Sequence, residues 1–160
     1  MRQVIGIRLD HAVLRSRRFL NGMPAGPLEV KDVTWIHRGG EELNQGTWCD
    51  EGLRAFGMLL DGRAWPPEQI PPDRATTLLI LFNAHHEDVG FVLPAAAGAD
   101  PWLPLLDTAA DALAPDLGYA VGATYRVAAR SLVVCTRAPG LTNVVATARR
   151  KAARRPRRVK

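Results

Sequence analysis

Long apolar runs are what this chain most plainly lacks. The longest, Leu78 to Phe82, is five residues, against the ~20 that a membrane-crossing helix needs. No membrane span is therefore expected. Cysteine is almost absent too: Cys49 and Cys135 alone cannot form a disulfide framework, and both read as reduced thiols of a cytoplasmic protein. Arg2 and Arg8 bracket a short apolar stretch without a small-residue cleavage site, so no signal peptide is expected. Acidic residues are missing from one place, the last twelve positions. Eight of the 21 basic residues lie in Arg149–Lys160, which leaves 13 basic against 16 acidic residues elsewhere. The net charge of +5 thus belongs to a tail, and the body is mildly acidic at about −3.

What is present is ordinary for a globular domain: 47% hydrophobic and 23% charged residues over 160 positions. That length accommodates one domain with appendages, and falls well short of the roughly 250 residues of a (β/α)8 barrel. Residues 1–22 predict a helix, since Val4, Ile7, His11 and Leu14 recur at three- and four-residue steps. Asn21-Gly22 then offers a stop, and Pro24 and Pro27 forbid continuation. From Lys31 the pattern changes to short strands: Val33–His37, Leu53–Leu60, Thr76–Phe82, Val89–Leu93, Trp102–Leu106, Thr124–Ala128 and Leu132–Thr136. Turn residues such as Gly39-Gly40 and Asp61-Gly62 separate them.

The expectation is an all-β fold, an antiparallel sandwich of about seven strands over residues 23–137. A helix over 1–22 precedes it, and a basic, disordered or fraying tail over 138–160 follows. Leu78–Glu87 and Val89–Pro94 read as two strands of a hairpin, and Pro66–Pro72 as an extended surface loop. Residues 95–101 and 108–120 read as loops, with room for one helical turn at Thr108–Leu113. Alternation within these strands predicts a core of Trp35, Leu59, Leu79, Leu81, Phe91, Leu106, Val127, Leu132 and Val134. Leu79 and Leu81 then lie on one face, with Ile80 and Phe82 on the other.

Candidate chemistry is thin. Glycoside hydrolysis needs two carboxyl groups about 5–10 Å apart, one with a raised pKa. Glu41, Glu42, Glu87, Asp88 and Asp107 are the candidates. Neighbours on a strand point to opposite faces, so Glu41/Glu42 and Glu87/Asp88 are not natural pairs. His85-His86 with Glu87 and Asp88 is the most metal-like group, yet adjacent histidines in a turn are expected to diverge, and no other ligand spacing supports a site. Cys49 and Cys135 have no visible base partner. Catalytic, cofactor-binding and metal residues are accordingly expected to be none. Trp35 and Trp102 read as core, whereas Trp48 and Trp65 flank loops and are the candidates for stacking on a sugar ring. The tail could neutralise phosphates, but it lacks interleaved aromatics and a reading module. A solubilising extension is the simpler reading, and nucleic acid is not the expected partner.

Several segments in order carry a resemblance: His11-Ala12-Val13-Leu14-Arg15-Ser16-Arg17-Arg18-Phe19-Leu20-Asn21-Gly22, Lys31-Asp32-Val33-Thr34-Trp35, Glu42-Leu43, Thr47-Trp48-Cys49-Asp50, Asp61-Gly62, Phe82–Glu87, Leu106-Asp107-Thr108 and Arg130–Val134. Over residues 4–136 the chain resembles the C-terminal region of bacterial glycogen debranching enzymes of the isoamylase type, within the α-amylase superfamily. It departs from the family's usual pattern with Arg38-Gly39-Gly40 in place of Pro-Asp-Gly, and with Cys49 in place of Asn. The resemblance implies that residues 1–22 are the end of the last barrel helix and that the terminal sandwich follows. It also implies that the two Asp and one Glu of the catalytic barrel would lie before Met1. A truncated or split, non-catalytic piece is then expected, which packs on a barrel-bearing polypeptide or self-associates through residues 4–20, with weak α-glucan contact in reserve. A stand-alone glucan-binding module and a basic-tailed interaction protein are the alternatives.

Overall fold

The computed structural model describes residues 2–25, 28–95, 100–113 and 117–137. The expectation for the tail at 138–160 lies outside them. All seven expected strands form, and two very short ones precede them. In chain order they are β1 (Pro24–Ala25), β2 (Val30–Lys31), β3 (Val33–Ile36), β4 (Ala55–Asp61), β5 (Thr77–Asn83), β6 (Val89–Val92), β7 (Leu103–Asp107), β8 (Thr124–Val127) and β9 (Ser131–Arg137). The helices are α1 (Arg2–Asp10) and the single turn α2 (Gln45–Trp48).

An antiparallel five-stranded sheet in the order β3-β4-β5-β9-β7 forms one layer, and the antiparallel pair β6-β8 lies over part of it. Reciprocal backbone bonds of 2.8 Å between Trp102 and Tyr119 add a bridge to that second layer. Between the layers sit Ile36, Leu59, Leu79, Leu81, Val133 and Cys135 from the large sheet, facing Phe91, Leu93, Trp102, Tyr125 and Val127. This is the all-β sandwich that the strand pattern predicts. Of the expected core, Leu59, Leu79, Leu81, Phe91 and Val127 are here. Trp35, Leu106, Leu132 and Val134 instead point to the opposite face of the large sheet, because alternation gives them the other parity in their strands.

The Leu78–Pro94 segment is not a hairpin. β5 pairs with β4 and β9, while β6 crosses to the other layer and pairs with β8. Asn83, buried at the corner, enforces the change of sheet. Its amide Nδ2 donates to the carbonyls of Glu87, Val127 and Ala128 at 2.9–3.1 Å, and its Oδ1 accepts from the His85 amide. Those bonds tie the end of β5 to the far end of β8 and leave no register for a two-strand ribbon. A second tie lies at the other hairpin-like turn. Gly40 takes φ +93, with its α-carbon so close to β6 that an added Cβ would stand 3.0 Å from the Val92 carbonyl oxygen, and the Arg38 carbonyl accepts from the Val92 amide. Only glycine suits both demands.

The N-terminal segment differs from the expected single helix. α1 ends at Asp10 and buries none of its residues. A 3-10 turn at Ala12–Arg15 follows, and Ser16 is extended at φ −56, ψ 139. The reason lies in tertiary contacts. Val13 enters an apolar cluster with Val33, Leu60, Ala64, Trp65, Ile70, Ala75 and Leu78, and Asp32 accepts the amides of Asn21 and Gly22 as well as that of Val33. A continuous helix could not deliver those amides to one carboxylate. The Pro66–Pro72 segment is likewise only partly a surface loop, since Trp65 and Ile70 at its ends are buried in this same cluster. Thr108–Leu113 contains a turn but no helix.

Candidate functional site

The outer face of the five-stranded sheet is covered at one end and open at the other. Cross-strand register places Trp35, Met58, Ile80, Val134 and Leu106 in one row, and Phe56, Phe82 and Leu132 in the next. These side chains are half-buried rather than sealed, apart from Val134. Over the β3–β4 end lies Trp48, which is 45% exposed. Its ring centroid is 5.5 Å from that of Trp35, edge to face, and 6.1 Å from that of Phe56. Phe56 in turn stacks on Phe82 at 5.2 Å. Aromatic contacts in this range add to simple burial, so the four rings hold one another in place.

Trp48 reaches that position because α2 is capped on both sides of its first turn. The Asn44 side chain accepts from the Thr47 amide, and the Thr47 hydroxyl accepts from the Asn44 amide, at 3.0 and 2.9 Å. A single helical turn has little stability of its own, and this reciprocal box compensates. Trp48 is therefore the most accessible of the four tryptophans. Trp65 is covered. It is only 4% exposed, its Nε1–H donates to Ser16 Oγ at 3.0 Å, and the Arg18 guanidinium lies 5.2 Å from its ring centre. Flanking a proline-rich loop suggested exposure. Docking of the N-terminal segment over the ring reverses it.

The candidate carboxylates are dispersed and engaged. Glu41 pairs with His37 at 2.6 Å and its pKa is lowered, first by a hydrogen bond from its own backbone amide. Glu42 pairs with Lys31, and Asp88 accepts from Arg126 and the Ala129 amide. Asp107 accepts from the Tyr125 hydroxyl at 3.0 Å. That acceptor, together with the larger effect of burial, pushes the Tyr125 pKa far up. The lowered pKa of Glu41 is the opposite of what a general acid needs.

His85, His86 and Glu87 do converge. The two imidazoles stack at 4.2 Å, and one ligand atom from each of the three residues falls within 4.8 Å of the others. Adjacent turn histidines were expected to diverge, but the corner held by Asn83 folds them together. His85 Nδ1 is already accepting the Glu87 amide, however, which places the imidazole proton on Nε2 and leaves that atom without a lone pair for a cation. The residues thus fit a turn lock better than a metal centre. A polar recess of about 340 Å3 beside them mixes His37, Arg38 and Arg54 with Asp50, Glu87 and Asp88, so its charges largely cancel. Cys135 is buried, its pKa pushed up to about 12 by desolvation and then by Asp107. That is the opposite of an activated thiol.

Beside the open sheet face, the N-terminal segment carries a second apolar surface. Val4 and Ile5 are about half exposed, at 52% and 53%, Leu9 is 60% exposed, and Phe19 is 97% exposed. Of the apolar residues expected on this segment, Val13 is buried and Ile7 and Leu14 are half-buried. The rest face outward. Phe82, which alternation places with Ile80 opposite Leu79 and Leu81, does point to the outer face, whereas Phe56 and Phe19 carry no mark in the sequence reading. The signal for Phe56 is the parity of β4: once Leu59 is assigned inward, Phe56 must point outward. Among the described residues no helix is long and apolar enough to cross a membrane.

Comparison with known proteins adds kinship to this geometry. The family described as "Isoamylase, C-terminal" matches residues 32–136. The "Glycogen operon protein GlgX homolog" of Mycobacterium bovis is 34% identical over 137 residues, covering 83% of this chain and 19% of that protein. The proteins of the same description from Mycobacterium tuberculosis strains CDC 1551 and H37Rv share the same identity and coverage. The chain therefore spans about a fifth of the length of these curated relatives.

Proposed function

Because the chain belongs to the isoamylase C-terminal family, we propose that it is the terminal β-sandwich portion of a glycogen debranching enzyme. The reaction of the parent is hydrolysis of α-1,6 branch linkages in glycogen or its limit dextrins. The sandwich contributes none of the catalytic groups; its role is to pack against a barrel and stabilise it. The observation that carries this reading is the pair of unsealed apolar surfaces. One is the aromatic end of the sheet at Trp35, Trp48, Phe56 and Phe82, and the other is Val4, Ile5, Leu9 and Phe19. Large apolar side chains held in the open mark an interface rather than a solvated face. The two free thiols, one of them exposed, suit the reducing cytoplasm, which is where we place the protein.

The test is sedimentation velocity of the chain with an isoamylase-type barrel polypeptide that lacks its own sandwich. A complex is expected, and Phe19→Ser together with Trp48→Ser should weaken it at least tenfold while the variant stays folded. Failure of the wild-type chain to bind, with the barrel intact, overturns the reading. A direct glucan contact is the second reading, favoured only by the exposed ring of Trp48. Retardation in a glycogen-containing gel that Trp48→Ala abolishes would support it.

A further inference from the structure

The segment Arg15-Ser16-Arg17-Arg18 does something that neither the sandwich core nor barrel packing requires. On a helix, positions 15, 17 and 18 would be spread around the axis by 100° per residue. Here the 3-10 turn ends at Arg15 and Ser16 is extended, so all three arginines line one recess of about 520 Å3 with Ser16 and Gln69. Its floor is the indole of Trp65 and the side chain of Ile70, both buried. Among the described residues no carboxylate lines it.

The recess is built rather than incidental. Ser16 Oγ accepts from Trp65 Nε1 at 3.0 Å and from the Arg18 amide at 3.2 Å. Arg18 Nη2 donates to the Ala64 carbonyl and sits against the Trp65 ring. Arg18 is also 3.9 Å from Asp32, whose oxygens already accept three backbone amides, so that pairing is weak. Arg15 and Arg17 have no ion pair among the described residues. Two unpaired guanidiniums and a fixed third, around a space the size of a small ligand, match a doubly charged oxyanion. Guanidinium presents paired N–H donors to phosphate oxygens, and a recess of several hundred Å3 is the size of a small-molecule site.

We propose that this recess binds a dianionic phosphate group, free or as the monoester of a small sugar. Arg15 and Arg17 grip the phosphate oxygens, Arg18 fixes the wall, and Gln69 faces the hydroxyl-bearing remainder of an ester. The recess lies apart from the aromatic end of the sheet but next to the exposed Phe19, so its occupancy is read on the chain alone, with no barrel polypeptide present.

The test is a nuclear magnetic resonance titration of the 15N-labelled full chain with inorganic phosphate, with a hexose monophosphate and with the neutral hexose, at constant ionic strength set by sodium chloride. Phosphate and the ester should shift the amides of residues 15–18 and the Trp65 indole N–H to saturation, and the neutral hexose should not. Tighter binding of the ester assigns the site to sugar phosphates, and equal binding assigns it to free phosphate. Arg15→Gln with Arg17→Gln should weaken binding at least tenfold without lowering the melting temperature, whereas Arg126→Gln, on the far side at Asp88, should change nothing. Shifts confined to residues 149–160, an equal response to the neutral hexose, or a double variant that titrates like the wild type would each overturn the proposal.

Discussion

At the scale of single residues, the two faces of β5 make the sharpest contrast. Leu81 is 1% exposed between the layers, while Phe82, next in the chain, is half-buried on the open face. Leu81→Ala should therefore cost ~2–5 kcal/mol through lost burial and a residual cavity. Phe82→Ala should cost clearly less, since one side of the ring already meets solvent. Urea unfolding of the two variants gives the ranking, and equal losses would mean that the open face is sealed in solution. Titration is a second residue-scale matter. Cys135 and Tyr125 both have pKa values raised in the fold, from ordinary values of 9.0 and 10.0. Their neutral forms are favoured when folded, so the associated stability is complete below about pH 9. It is lost as pH climbs toward 12, because the unfolded chain releases these protons first. The slope is at most about 1.4 kcal/mol per pH unit for each group. Stability measured at pH 8 and pH 10.5 should fall, and Cys135→Ala should flatten part of that fall. A variant as steep as the wild type would remove Cys135 from the account.

At the scale of elements, the N-terminal segment divides in two. α1 buries nothing and is held by few contacts, such as Gln3 Nε2 donating to the Leu105 carbonyl at the edge of β7. Residues 12–22 are different: Val13 is in the cluster with Trp65 and Leu78, Ser16 and Arg18 hold the Trp65 loop, and the amides of Asn21 and Gly22 satisfy Asp32. Removing residues 1–9 should shift the melting temperature by no more than a few degrees, the scale of about 1 kcal/mol in a domain of this size. Removing residues 1–22 should lower it far more, because Trp65 is uncovered and the buried Asp32 is left short of donors. Calorimetry of both truncations decides it, and similar melting temperatures would show that residues 10–22 are as dispensable as α1. The strand elements themselves were legible, all seven of them, because each combines an apolar run with turn residues at both ends. The corner after β5 was not, because Asn83 looks like any turn residue until its amide is seen on the carbonyls of β8.

At the scale of the whole molecule, the described residues hold a sandwich with two apolar surfaces, and among them the candidate carboxylates assemble no acid–base pair. Incubated with a branched α-glucan, the purified protein should release no reducing ends above a buffer blank. Activity that disappears on Glu87→Gln or Asp107→Asn would place catalysis in this chain and sink the packing role. The prediction follows from geometry: the candidate carboxylates are each paired with a different partner, at Lys31, His37, Arg126 or Tyr125, or stand exposed beside a histidine in the case of Glu87.

The fold class, the family and the positions of the strands, though not their last one or two residues, were legible along the chain, since alternation, turn residues and ordered motifs are local properties that survive being read one residue at a time. The sequence also settled that Trp102 is core, from a strand position. Tertiary contacts were needed to show which faces of β3, β7 and β9 turn inward, where Trp35, Leu106, Leu132 and Val134 lie on the outer face, and which rings stay in the open. Trp48 and Trp65 look alike along the chain, each at the edge of a loop. One is held outward by the capped turn of α2, and the other is covered by residues 49 positions away through the Ser16 contact. Exposure depends on which distant segment arrives overhead, and local pattern carries no record of that.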